Sequence, residues 1–269
     1  MLRKLMKHEL RATGRVMGPM ILLVLVAAVG GNISTYRLLE SGNGVLSTLG
    51  VLLLMLFVIA SIAICIVAFA LMVQRFYKNL LRDEGYLTMT LPVSVHEHIW
   101  AKLLVTLIWW VAVTLAVAAA LFILVFNPHM MGEIGELLAH LSLGDLPLSL
   151  GQVALFGLET VLMLLVGCAG VCLHFYAALA VGYSFTHHKD ALSVAGYFAL
   201  SLVLYLLQSA TVHLLNLVGF DGIHLWMQSL APMTQTHLTL LGVTAALAVP
   251  AAIYYAVTAH FMKNRLNLG

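Results

Sequence analysis

The chain has 269 residues, 62% of them hydrophobic and only 9% charged, with a formal net charge of +2. Its mean hydropathy of +1.03 leaves too little polar surface to cover a soluble globule of this length, which excludes a soluble enzyme. The expected fold class is an all-α integral membrane protein, a single transmembrane domain over 1–269, with membrane lipid around it and no nucleic-acid partner.

Residues Leu2 to Ala12 place Leu2, Leu5, Met6 and Leu10 at helical spacing among Arg3, Lys4, Lys7, His8 and Arg11. The pattern predicts a basic amphipathic helix over 1–14, either resting on the membrane surface or serving as a plain topology signal before the first span. No small-residue cleavage site of the usual kind follows, so the first apolar run reads as a retained span and not as a signal peptide. Gly14 and Gly18 form a GxxxG pair suited to the close approach of another helix.

Six apolar runs are long enough for a hydrocarbon core of about 30 Å, which takes about 20 helical residues. They cover 16–33, 45–73, 103–126, 151–185, 191–217 and 238–261. The second and fourth are overlong and are expected to tilt or to continue past the bilayer. Pro250 is expected to kink the sixth by freeing the carbonyl of Ala246.

Lys and Arg collect on the cytoplasmic side of short loops. With six spans, Arg3, Lys4, Lys7, Arg11 and Arg15 share a side with Arg75, Lys78, Arg82, Lys102, Lys189, Lys263 and Arg265, and Arg37 alone lies opposite. Twelve of the 13 basic residues thus fall on one side, which predicts that both termini are cytoplasmic. The other side is acidic or neutral, with Glu40, Glu133, Glu136, Asp145 and Asp221. On that side Ile134, Leu137, Leu138 and Leu141 predict a short interfacial helix, and 216–236 is apolar enough for a re-entrant segment.

The polar stretch Arg82 to Leu103 joins spans two and three. Asp83 and Glu84 suit the positive end of a helix dipole and Pro92 removes a donor, so a short helix is expected over 82–92. Ser94 followed by Glu97 fits the S-x-x-E capping box ahead of an apolar run, so a second helix is expected to start there and enter the membrane.

With the six spans and the basic N-terminal helix, this loop, DEGYLTMTLPVS followed by AKLL, resembles the permease subunits of ABC-2-type ABC transporters. Glu84, Gly85, Leu91, Pro92, Val93, Ser94 and Lys102 match the family's loop pattern, while Tyr86 stands where Thr is frequent and Ala101 where Gly is. The resemblance implies that Arg82, Asp83, Glu84, Gly85, Tyr86, Leu87, Met89, Leu91 and Pro92 belong to a coupling helix. That helix would dock on separate cytoplasmic ABC ATPase subunits, which bind ATP and Mg. It further implies an exporter in the inner cell membrane, built from two copies of the chain or from this chain and a similar permease. The residues suit such docking chemically, since Arg82, Asp83 and Glu84 offer charge-assisted contacts and Tyr86, Leu87 and Met89 offer apolar area. The chain contains no G-x-x-x-x-G-K-[ST], so nucleotide hydrolysis is expected in trans, with no catalytic residue and no cofactor of its own.

Glu159 is the only carboxylate deep inside a span. It either lines a translocation path or sits where water reaches it from the outer interface. His174, on the same span, is expected to be a packed, hydrogen-bonded histidine. Cys65, Cys168 and Cys172 lie in apolar runs and give no disulfide framework. Cys168 and Cys172 share a helical face, but His174 points elsewhere and no fourth ligand is evident, so no metal site is expected. His96-Glu97-His98 is not H-E-x-x-H and predicts no zinc-protease site. Two other functions fit a polytopic chain: an enzyme acting on lipid, which needs a cluster of catalytic groups at one depth, and a scaffold or sensor subunit.

Overall fold

The computed structural model describes residues 2–39, 43–81, 85, 92–126, 132, 135–136, 150–218 and 221–265. Among these residues all regular secondary structure is helical. The helices are α1 (Leu2–Ile33), α2 (Gly44–Phe76), α3 (Val95–Val125), α4 (Leu150–Gly182), α5 (Lys189–Val218), α6 (Asp221–Gln228) and α7 (Pro232–Asn264). Two π-helical turns, Ser34–Leu38 and Tyr77–Leu81, extend α1 and α2. All but α6 are long and apolar enough to cross a membrane, which gives six spans.

The chain divides into two compact units. One gathers Leu2–Met72 with Leu104–Leu148, and the other gathers Val73–Leu103 with Ser149–Gly269. In the first unit each helix contributes a face at three- and four-residue steps. Met17, Val24 and Ala28 of α1 join Phe57, Ala60, Ile64 and Ala68 of α2, and Val113 and Ala120 of α3. Polar groups close the ends of this core. Thr13 accepts a hydrogen bond from Trp109 Nε1 (2.7 Å) and donates to the Glu9 carbonyl (2.8 Å). The Asn32 amide reaches the carbonyls of Ile123, Leu124 and Phe126 at 3.0–3.1 Å, at and just past the end of α3. Ser34 Oγ donates to the Gly50 carbonyl, and Asn43 caps α2 by accepting from the Val45 amide (3.1 Å).

The second unit is built on α4, which packs most extensively against α7 and also against α5. Small residues let these backbones meet. A Cβ added at Gly170 would lie 3.7 Å from Ala251 Cβ, and one at Gly196 would lie 3.4 Å from the Ala178 carbonyl oxygen. The buried face of α7 is Ala251, Tyr254, Thr258 and Met262, again at helical steps.

Several expectations change in detail. Residues 2–14 of the amphipathic segment and the span 16–33 form one uninterrupted helix, Leu2–Ile33. Thr13 and Met17 are buried and Gly14 lies against the Trp109 ring, so the helix is packed where the two ranges meet. Gly18 has nothing within 4 Å, which leaves the GxxxG pair without a two-glycine contact. Helix α7 begins six residues before the expected 238 because Pro232 takes the first helical position, where a missing amide hydrogen costs nothing. It runs on through Pro250, as α1 does through Pro19. The stretch 216–236 is divided among the end of α5, the eight-residue α6 and the start of α7. Most of the stripe 134–141 lies outside the described residues.

The tightest joint is between α4 and α5. A Cβ added at Gly182 would collide with the backbone and Oγ of Ser193. Gly182→Ala is therefore expected to destabilise the protein by about 1–3 kcal/mol, read as a lower melting temperature of the purified chain in detergent, whereas Gly18→Ala is expected to leave it unchanged.

Candidate functional site

Of the loop residues singled out in the sequence, Gly85 and Pro92 are described. Arg82, Asp83, Glu84, Tyr86, Leu87, Met89 and Leu91 lie outside the described residues. Gly85 is helical and buried, and Pro92 and Val93 form a bend. What the structure defines is how the two flanks of this loop are held.

On the upstream flank, Phe76 stacks on Tyr176 of α4, with ring centroids 3.8 Å apart and planes 7° from parallel. Both rings are fully buried, as are Leu80 and Leu81. One residue further, the Tyr77 hydroxyl lies 3.2 Å from Asp190 Oδ1, and the Tyr183 hydroxyl lies 2.8 Å from the same oxygen and 2.9 Å from Tyr77 Oη. Two phenols thus converge on one carboxylate. Asp190 stands in the first turn of α5, where the helix dipole favours a negative charge. His188, just before it, takes a left-handed φ of 54° and passes the chain into the helix.

On the downstream flank the capping box forms. The Ser94 amide donates to Glu97 Oε2 (3.3 Å) and the Glu97 amide donates to Ser94 Oγ (3.3 Å). His96 Nδ1 meets the Tyr255 hydroxyl of α7 at 2.7 Å, and Trp100 lies against the same tyrosine ring. The residues of His96-Glu97-His98 therefore have separate tasks: His96 ties α3 to α7, Glu97 caps α3, and His98 is buried.

Glu159 has a partner that the sequence reading missed. His237 Nδ1 of α7 lies 2.6 Å from Glu159 Oε2, both side chains are largely buried, and Phe156 presents its ring edge-on to the imidazole. The expected sixth span began at Leu238, so His237 fell one residue outside it. A lone carboxylate within a span calls for a donor at matching depth on a neighbouring helix, and that requirement was the available signal.

His174 is packed and hydrogen-bonded. It stacks between Tyr197 (4.2 Å, 8°) and Tyr254 (4.4 Å, 5°), and its Nε2 lies 3.2 Å from the Tyr197 carbonyl oxygen and 3.3 Å from Ser201 Oγ. Cys168, Cys172 and Cys65 are free thiols.

A scan against protein-family models, a search of curated proteins and a search of solved structures each returned no match.

Two measurements follow from this geometry. Removing one member of the buried pair, by Glu159→Leu or His237→Leu, is expected to cost about 1–3 kcal/mol because the partner is left unanswered. The double substitution is expected to recover most of that loss, as read from melting temperatures across the double-mutant cycle. At the other joint, burial pushes the Tyr183 phenol well above its ordinary value, and its hydrogen bonds to Tyr77 and Asp190 add to the shift. A raised folded-state value stabilises the fold below the phenol's unfolded value of 10.0 and is lost as pH rises beyond it. The wild-type protein is therefore expected to lose more stability between pH 9 and pH 11 than Tyr183→Phe, which lacks the titrating group.

Proposed function

We propose that the chain is the transmembrane permease subunit of an ABC exporter, driven by a separate cytoplasmic ATPase that docks on the segment 82–92. The observation that carries this reading is a sequence pattern in its setting. Glu84, Gly85, Leu91, Pro92, Val93, Ser94 and Lys102 match the ABC-2 loop, and that loop connects the second and third of six spans. The absence of a Walker A sequence from the chain agrees with hydrolysis by a partner. The placement of 12 of 13 basic residues on one side favours a cytoplasmic position for the loop and for both termini.

The anchored flanks add mechanical sense to the reading. A load on 82–92 meets the Phe76–Tyr176 stack and the Tyr77–Tyr183–Asp190 cluster on one side, and the capping box and the His96–Tyr255 bond on the other. Such a segment passes movement into α4, α5 and α7 with little slack. Two permeases and two ATPases would make the working assembly.

Purification from its own membranes in mild detergent is expected to bring down an ATPase bearing Walker A and signature motifs. Reversing Asp83 and Glu84 to Lys, or replacing Tyr86 by Ala, is expected to reduce ATPase retention on the order of tenfold or more while membrane insertion stays intact. Equal retention and equal transport in those variants would overturn the proposal.

A further inference from the structure

Between α4 and α5, near the turn that joins them, lies a groove of about 280 Å³. It exists because the two helices touch at small residues, Gly182 against Ser193 and Gly196 against the Ala178 carbonyl, while larger side chains flank the contact. Ala178 and Ser193, both buried, make its floor. Phe175, Leu179 and Tyr197 stand as walls, and Val194 and Phe198 form an exposed rim. The walls are set in place, since the Tyr197 ring lies 4.8 Å from that of Phe175 and stacks on His174. Ser193 Oγ already donates to the Lys189 carbonyl (2.9 Å), so the floor offers no open donor. On α5 the lining runs from Ser193 to Phe198, about 6–14 Å along the helix from Lys189. That is the depth of one leaflet of a core about 30 Å thick. A volume at the small end of ligand pockets, which run about 300–1,000 Å³, suits one slender apolar chain.

The mouth of the groove is charged. Lys189 and Asp190 stand one turn before Ser193 and Val194 on the same faces of α5. Lys189 Nζ lies 5.8 Å from the centre of the Tyr183 ring, whose hydroxyl donates to Asp190 Oδ1, so a cation and a carboxylate are held side by side. Tyr77 and Tyr183 both use Oδ1. Asp190 is exposed, and its Oδ2 has no hydrogen-bond partner among the described residues.

We propose that this groove holds one acyl chain of a phospholipid with a zwitterionic, primary-amine headgroup (the phosphoethanolamine class), with the phosphate on Lys189 and the ammonium on Asp190 Oδ2. Both contacts are charge-assisted hydrogen bonds. A phosphocholine head brings the same two charges but no N–H to donate, and a head with the phosphate alone leaves Asp190 without a counter-charge. The lipid is a resident of the α4–α5 joint and not cargo. Assigning it to the cytoplasmic leaflet rests on the orientation given under the proposed function, but its binding needs no ATPase.

Native mass spectrometry of the full chain, purified in a mild detergent and titrated in turn with dioleoyl phosphatidylethanolamine, phosphatidylglycerol and phosphatidylcholine, tests the site. One ethanolamine lipid is expected to bind on the order of tenfold more tightly than either of the others. Val194→Trp, which fills the rim, is expected to weaken all three on the order of tenfold, whereas Val203→Trp, at an exposed position further along α5, leaves them unchanged. Should Val194→Trp fail to fold, Phe198→Ala removes part of the rim from an exposed position and is expected to weaken binding several-fold. Asp190→Asn keeps an oxygen for the phenols but takes the carboxylate from the ammonium, so ethanolamine and choline lipids are expected to bind alike. Equal binding of the three lipids by the wild-type chain would overturn the proposal, as would preference for the glycerol lipid. So would a preference that survives Asp190→Asn, or rim variants that bind as the wild type does. An ATPase that co-purifies with a chain showing no lipid preference would leave the permease reading standing and remove only this site.

Discussion

Hydrocarbon supplies no hydrogen bonds, and that constraint orders this structure more than any single contact does. Leu, Val, Ile, Ala and Phe make up most of each span and are indifferent to whether they face lipid or protein, so they specify little about which helix meets which. The polar minority does the specifying. Asn32 reaches carbonyls at the end of α3, Thr13 meets Trp109, Ser34 meets Gly50, and Glu159 meets His237. Thr13, Ser34 and Glu159 are buried groups whose alternative is an unsatisfied polar atom in a medium of low dielectric. Between them, glycines and alanines permit the close approach that dispersion needs, as at Gly170 against Ala251 and Gly182 against Ser193.

Helix number and kind were legible because they rest on length and apolarity alone, which are properties of contiguous sequence. The capping box at Ser94 and Glu97 was legible for a related reason, since both members lie within one turn and the geometry follows from the spacing. What the sequence hid is pairing across long separations. Tyr77 and Asp190 are 113 residues apart, His96 and Tyr255 are 159 apart, and nothing local marks them as partners. The packing of Trp109 against Gly14 was hidden in the same way, since the two residues are brought together only by the fold.

The loop 82–92 is best understood through its borders. Those borders are aromatic and hydrogen-bonded on both sides. Chemical variety at these borders is notable for so apolar a chain: stacked rings at Phe76 and Tyr176, two phenols on one carboxylate at Asp190, and a reciprocal cap at Ser94. Truncating any one of them loosens a flank without altering the six spans.

The π-helical turn Tyr77–Leu81 stands at the upstream border. Such turns are rare and short, so one that persists points to side-chain contacts that hold it. Here the contacts are the Tyr77 cluster and the buried Leu80 and Leu81. Should they let go, the five residues would rewind into the tighter α form, and everything after them would swivel by roughly a quarter turn about the axis of α2. The Tyr77–Tyr183–Asp190 cluster thus fixes the rotation at which the chain leaves α2.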